Sequence, residues 1–393
     1  MARDFGLDAV RAAAIALVLT THGSTFFFWE HYDVLAFSYV TGYFGVEIFF
    51  VLSGFLIGTI LMKELVENGS WASLFRFYAR RWLRTIPLYA FVMLITWAVV
   101  GRPFHGYALL FIQNFDERAL GFMPVSWSLT IEEWFYLVVP FATLVLCLAV
   151  GGIEPFRTRG RVRLAIGLCV WIIVGEAFAR WLYVLLEQPT WDYGVRKQIP
   201  LRLDSLVAGV LLAALKRHRT SVYERLRSKA ALLSAVAALV WCGGIVYEHV
   251  RDGTIDSSLF ARTLLFTIVS LALAICLASL EGRQALQAFA ARGGRIARAV
   301  TFASVTSYAA YLAHWEIFIY YDALVEQPSR LTSWALSVFA LTATLTAAYA
   351  LHRLVERPFM QLREKLPGVR SGGSSLREGE GEVVRRSPNM TAM

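Results

Sequence analysis

Charge is what this 393-residue chain has little of: 17% of its residues are Asp, Glu, Lys or Arg, against 57% hydrophobic, and the mean hydropathy is +0.53. A soluble domain is about 45–50% apolar, so the composition excludes an ordinary soluble enzyme and describes a polytopic membrane protein. Cysteine is scarce too. Cys147, Cys169, Cys242 and Cys276 are scattered through apolar stretches, with no spacing that makes a metal site or a disulfide framework. They read as core thiols, and no metal is expected. A clean basic segment is missing ahead of the first apolar run, where Asp4, Asp8 and Arg11 stand, and no A-x-A site follows it. That run is therefore read as a first span rather than a cleaved signal peptide.

Spans of about 20 residues fall near 8–28, 41–62, 85–101, 128–150, 164–186, 200–215, 229–249, 259–280, 301–321 and 331–354. The loops 63–85, 151–163, 216–229 and 281–300 hold 19 Lys and Arg, whereas the opposing loops hold 6. The positive-inside rule then places both termini in the cytoplasm. The expected fold is all-α, a helical bundle of about ten transmembrane helices in the plasma membrane. Two stretches fit less well. YALLFIQNF, 107–115, is too short to cross and reads as re-entrant or interfacial, and 200–215 is short for a span. The net charge of +9 follows this topology, so no nucleic-acid partner is implied. Residues 1–360 read as one membrane domain. Residues 361–393, Gly/Ser- and charge-rich from Pro367 on, read as a disordered cytoplasmic tail.

Four clusters can carry chemistry. Arg11 and His22 share the first span; eleven residues turn an α-helix through about 1100°, so both lie on one stripe, about 16 Å apart along the axis. An ionisable residue within a span is by default a functional candidate, although Arg11 also fits an arginine snorkelling to the interface. In FRFYARRWLRTIPLYA, 75–90, Arg81 and Arg84 are i,i+3 and share a helix face. Two guanidinium forks there suit phosphate, and a positive-inside anchor is the plainer reading. Glu132 and Glu133 lie at the outer end of an apolar span in PVSWSLTIEEWFYLVVP. One is expected to face the bundle and orient His22 or an arginine, the other to face the headgroups. In SVTSYAAYLAHWEIF, 304–318, Tyr308 and His314 are polar within the ninth span and stand as supporting residues.

At these residues the chain resembles the membrane-bound acyltransferase 3 family, O-acyltransferases that include O-antigen acetylases. FGLDAVRAAAIALVLTTHG resembles the family's opening block, with an arginine, ten residues and a histidine. GYFGVEIFFVLSGFLIGTIL, 42–61, resembles the second block, with Glu47 where an aspartate is more usual. RRWLR, 80–84, contains the arginine pair. WSLTIEEWFYL, 127–137, resembles the tryptophan–serine–leucine block, with Trp134 where a glutamine is common. SYAAYLAH and LVERPF, at 307–314 and 354–359, resemble the closing blocks. The resemblance covers most of residues 5–360.

It implies acyl transfer, most often of acetyl, from acyl-CoA to a hydroxyl of a carbohydrate or lipid-linked acceptor. His22 would be the base, neutral at pH 7 because an unperturbed imidazole titrates near 6.5, with Glu132 orienting it. Arg11, Arg81 and Arg84 would hold acetyl-CoA, a co-substrate rather than a bound cofactor. A small secondary metabolite such as a macrolide is an alternative acceptor. A secondary transporter is the rival from another class, but it predicts paired repeats, and none is visible; a non-enzymatic membrane scaffold is the third reading.

Overall fold

The computed structural model describes residues 3–101, 106–115, 121–150 and 156–365, and these contain helices and turns without a strand. Fourteen α-helices are described: α1 (Phe5–Phe28), α2 (Leu35–Leu61), α3 (Trp71–Ile95), α4 (Ser126–Leu148), α5 (Phe156–Glu187), α6 (Asp204–His218), α7 (Thr220–Leu226), α8 (Lys229–Arg251), α9 (Leu259–Arg262), α10 (Leu264–Leu280), α11 (Gln284–Ala291), α12 (Arg295–Asp322), α13 (Arg330–Leu351) and α14 (Arg357–Lys365). Several start at side-chain caps that satisfy an otherwise unpaired first-turn amide. The Asp4 carboxylate accepts from Leu7 N at 3.1 Å, and the Ser70 hydroxyl accepts from Ser73 N at 3.2 Å.

Among the described residues, seven helical segments are long and apolar enough to cross a membrane, or eight if the bent pair α10 and α11, at 59° to each other, is one span. This is a multi-pass membrane protein. The three other expected spans are helices that fall short of that test for different reasons. α6 has 15 residues. α10 has 17 and is preceded by a break at Thr263. α12 is 28 residues long but carries Ser304, Ser307, Tyr308, His314 and Glu316.

The expected span boundary that moves furthest is the third: that span starts at Trp71, not near 85. Its arginine-dense half looks like a loop, yet Leu74, Phe77 and Tyr78 are buried at helical spacing and hold it in the bundle. The final helix spans Arg357–Lys365; residues 366–393, which include most of the expected tail, lie outside the described residues. The 107–115 stretch forms two short 3₁₀ turns, Gly106–Ala108 and Gln113–Phe115. It is pinned by Trp134, whose Nε1 donates to Phe111 O at 2.7 Å, and by Tyr89, whose hydroxyl donates to Ala108 O at 3.0 Å.

The tightest helix pair is α2 against α6. A Cβ on Gly54 would lie 1.9 Å from Leu206 O, and one on Gly209 would lie 2.2 Å from Val51 O. The two backbones touch only because neither position has a side chain, which is how small residues bring membrane helices together. α1 packs between α2 and α12, so the stripe with Arg11 and His22 faces the bundle rather than lipid.

Candidate active site

Two cavities open along α1. The first, about 160 Å³, is lined by Arg11, Ser53, Arg81, Arg84, Thr85, Glu132 and Tyr308 among others. The second, about 370 Å³, is lined by His22, Tyr39, Trp127, Asp192, Arg196, Lys197 and Trp315 among others. Val46 and Tyr311 line both, so the cavities abut there. One helix thus delivers Arg11 to one cavity and His22 to the other.

In the arginine cavity, Arg81 Nη2 lies 3.1 Å from Glu132 Oε2, and both side chains are mostly buried. The guanidinium also stacks on Tyr136 at 3.8 Å. Glu132 accepts from the Ser53 hydroxyl at 3.1 Å and the Tyr136 hydroxyl at 3.0 Å. Arg11 donates to Ser304 Oγ at 3.2 Å and stands 3.8 Å from Asp8. Arg84 lines the same wall. Arg11, Arg81 and Arg84 thus line one cavity with Glu132, and guanidinium forks are groups that suit an anion. Tyr308 donates to Thr85 O at 2.8 Å and braces α12 against α3.

Of the two partners expected for Glu132, His22 or an arginine, the one observed is the arginine. Glu132 is tied to Arg81, which sits well inside α3 rather than ahead of a span, so the acid lies beside the arginines and not at the opposite end from them. Glu133 is buried, 6% exposed, rather than facing headgroups, and its Oε1 has no hydrogen-bond partner among the described residues.

The ring partner of His22 is His314, with Nδ1 of His22 2.8 Å from Nε2 of His314. Their partners fix the protons. His314 Nδ1 lies 3.0 Å from Ala310 O, and a carbonyl only accepts, so His314 carries its proton on Nδ1 and offers the lone pair of Nε2. His22 must then donate from Nδ1, which leaves its Nε2 lone pair available as a base. His314 is fully buried, whereas His22 is half-buried and borders the cavity. Trp315 packs edge-on against the His22 ring at 5.0 Å.

The rim of the histidine cavity comes from the turn Trp191–Arg196, which lies outside the apolar spans. Asp192 accepts from Arg196 Nε and Lys197 Nζ, each at 2.6 Å. Burial alone would raise its carboxyl, but the two cations outweigh burial and hold it below the ordinary carboxylate value. Trp191 is buried and donates from Nε1 to Ala261 O at 3.0 Å, which anchors the rim.

Behind this cavity lies a buried ionic cluster that the sequence reading missed. Arg202 pairs with Glu47, and Arg180 lies 2.9 Å from Asp204 and 3.8 Å from Glu176. Glu176 accepts from Leu203 N and Asp204 N at 3.1 and 2.8 Å and so caps the start of α6. The signal was present: Glu176 and Arg180 are i,i+4 inside an apolar helix, and such residues are expensive unless paired.

No solved structure matches the chain. A Listeria monocytogenes protein named peptidoglycan O-acetyltransferase OatA is 27% identical over 379 residues, covering 90% of this chain and 55% of that protein. A Staphylococcus aureus protein that carries the provisional name O-acetyltransferase is 28% identical over 232 residues, covering 53% of this chain and 34% of its own length. The chain thus spans about half the length of the Listeria relative and about a third of the Staphylococcus one. The sequence model of a family described as an acyltransferase domain matches residues 4–353, nearly the whole described chain. The chain belongs to the membrane acyltransferase 3 family.

Proposed function

We propose that this protein is an integral-membrane O-acyltransferase that moves acetyl from acetyl-CoA to a hydroxyl of a carbohydrate or glycolipid. The observation that carries this reading is the pairing of cavities: an arginine-lined one, a histidine-lined one, and shared walls at Val46 and Tyr311. Phosphates of the donor sit against Arg81 and Arg84, and its pantetheine arm runs past Arg11 toward His22, a distance of about 16 Å along α1. His22 Nε2 takes the proton of the acceptor hydroxyl. That oxygen forms the new bond to the acetyl carbonyl carbon, the C–S bond breaks, and the coenzyme A thiolate leaves and takes up a proton. His314 holds the imidazole in the tautomer this needs. Glu132 keeps Arg81 aimed into the donor cavity.

In this reading the arginine cavity opens to the cytoplasm and the histidine cavity to the far side, an orientation supported by the positive-inside pattern of the loops, and acetyl passes across the membrane to an outer acceptor. The Listeria relative's name supports a glycan acceptor. The test uses sealed proteoliposomes with radiolabelled acetyl-CoA on one side and glycan or lipid extract on the other. Label on the opposite-side acceptor supports the reading; label found only on the acetyl-CoA side refutes transfer across the membrane.

A further inference from the structure

The histidine cavity holds a guanidinium whose hydrogen bonds are only partly used. Arg196 spends Nε on Asp192 at 2.6 Å. Its two Nη groups have no hydrogen-bond partner among the described residues, and neither is sealed from the cavity. Two indole rings hold the group, with Cζ 4.7 Å from the Trp127 ring centre and 5.4 Å from that of Trp191. A guanidinium stacked and tethered in this way has its rotamer fixed before any ligand arrives, and its open edge matches the two oxygens of a carboxylate or phosphate.

We propose that the acceptor bound beside His22 carries an oxyanion, gripped by the Nη edge of Arg196, so that the site selects anionic glycans over neutral ones. The inference rests on the acyl-transfer reading for the identity of the acceptor cavity. The Arg196 edge then fixes which hydroxyl lies over His22 Nε2, because a bidentate contact sets orientation as well as affinity. A phospholipid headgroup offers the same chemistry as a uronate, and the choice of lipid separates the two.

The test compares fully N-acetylated chito-oligosaccharide, which is neutral, with hyaluronan oligosaccharide of equal length, which carries uronates. The protein is held in nanodiscs of phosphatidylcholine or of phosphatidylglycerol. Binding is read by tryptophan fluorescence and transfer by label from acetyl-CoA, for wild type, Arg196→Gln and Arg196→Lys. The expected result is a preference of about tenfold or more for the uronate acceptor in wild type. That ratio shrinks as salt rises from about 50 to about 500 mM, collapses toward one in Arg196→Gln, and is only partly restored by Arg196→Lys, which has charge without a fork. A wild-type ratio near one, or a ratio that survives Arg196→Gln, overturns the proposal. A preference that disappears in phosphatidylglycerol discs at matched salt assigns the edge to the headgroup and overturns the glycan form. If Arg196→Gln does not fold, the salt series on wild type decides. Uronate-selective binding without transfer keeps this site and sinks the transferase reading, whereas transfer without selectivity does the reverse.

Discussion

Replacing His314 with leucine separates the positioning of His22 from its presence. In the native arrangement, His314 Nε2 accepts from His22 Nδ1 at 2.8 Å, and the Ala310 carbonyl fixes which nitrogen of His314 is bare. Leucine fills much of the space but accepts nothing, so the buried Nδ1–H loses its partner and the ring loses its reason to keep Nε2 free. Leaving a buried donor unpaired costs about 1–3 kcal/mol. If that energy appears wholly in the barrier, kcat falls about 5- to 150-fold. The KM for acetyl-CoA stays within about twofold, because its arginines line the other cavity and make the same contacts in ground and transition states. His314→Gln keeps an oxygen acceptor and retains more activity than His314→Leu. The assay is acetyl transfer at saturating donor with purified protein, alongside thermal unfolding to confirm the fold. A His314→Leu enzyme within about threefold of wild type refutes the tautomer argument, and equal losses in the Gln and Leu variants refute the role of the acceptor atom.

Further outcomes follow from the same geometry. Arg81→Gln leaves Glu132 buried without its cation and is expected to cost about 3–5 kcal/mol, seen as a lowered unfolding temperature in detergent; adding Glu132→Gln recovers part of that stability without recovering activity. Gly54→Leu drives a side chain into the Leu206 carbonyl and abolishes the folded yield, whereas Gly167→Ala, with nothing within 4 Å of the added Cβ, leaves it unchanged. Trp134→Phe removes the bond to Phe111 O at a cost of about 1 kcal/mol and speeds hydrogen exchange in residues 106–115. The lowered Asp192 carboxyl stabilises the cavity rim at neutral pH. A group depressed on folding contributes fully above its unfolded value, about 3.9, and loses that contribution as pH falls through the lower folded value. Tryptophan fluorescence of the Trp191 rim should therefore hold steady down to about pH 4 and change below it, and Asp192→Asn should remove that acid step.

The membrane class and the Arg11–His22 stripe were legible in the sequence because both rest on one-dimensional patterns, apolar run length and the 3.6-residue period. That Glu132 would meet an arginine was one of two expected partnerships, but its pairing with Arg81 in particular was not legible. It depends on α3 starting at Trp71, and the density of arginine in 76–84 hid the buried Leu74, Phe77 and Tyr78 face. His314 was visible as a polar residue in a span, but its bond to His22 joins α1 to α12 across 292 positions, and no local spacing reports a contact of that range. Arg196 carries no local pattern that singles it out; its meaning comes from its packing against both Trp127 and Trp191, which the fold brings together from separate parts of the chain. The buried cluster around Arg202 likewise needs α2, α5 and α6 in place before its charges find each other.

The central claim is that His22 is the base for acetyl transfer. It is tested most directly by comparing wild type with His22→Ala in nanodiscs supplied with radiolabelled acetyl-CoA and an acceptor extract. Donor binding and donor consumption are followed together with label on the acceptor. The account predicts intact folding and donor binding in His22→Ala, with transfer lowered by about 100-fold or more. Transfer by His22→Ala at the wild-type rate would contradict it.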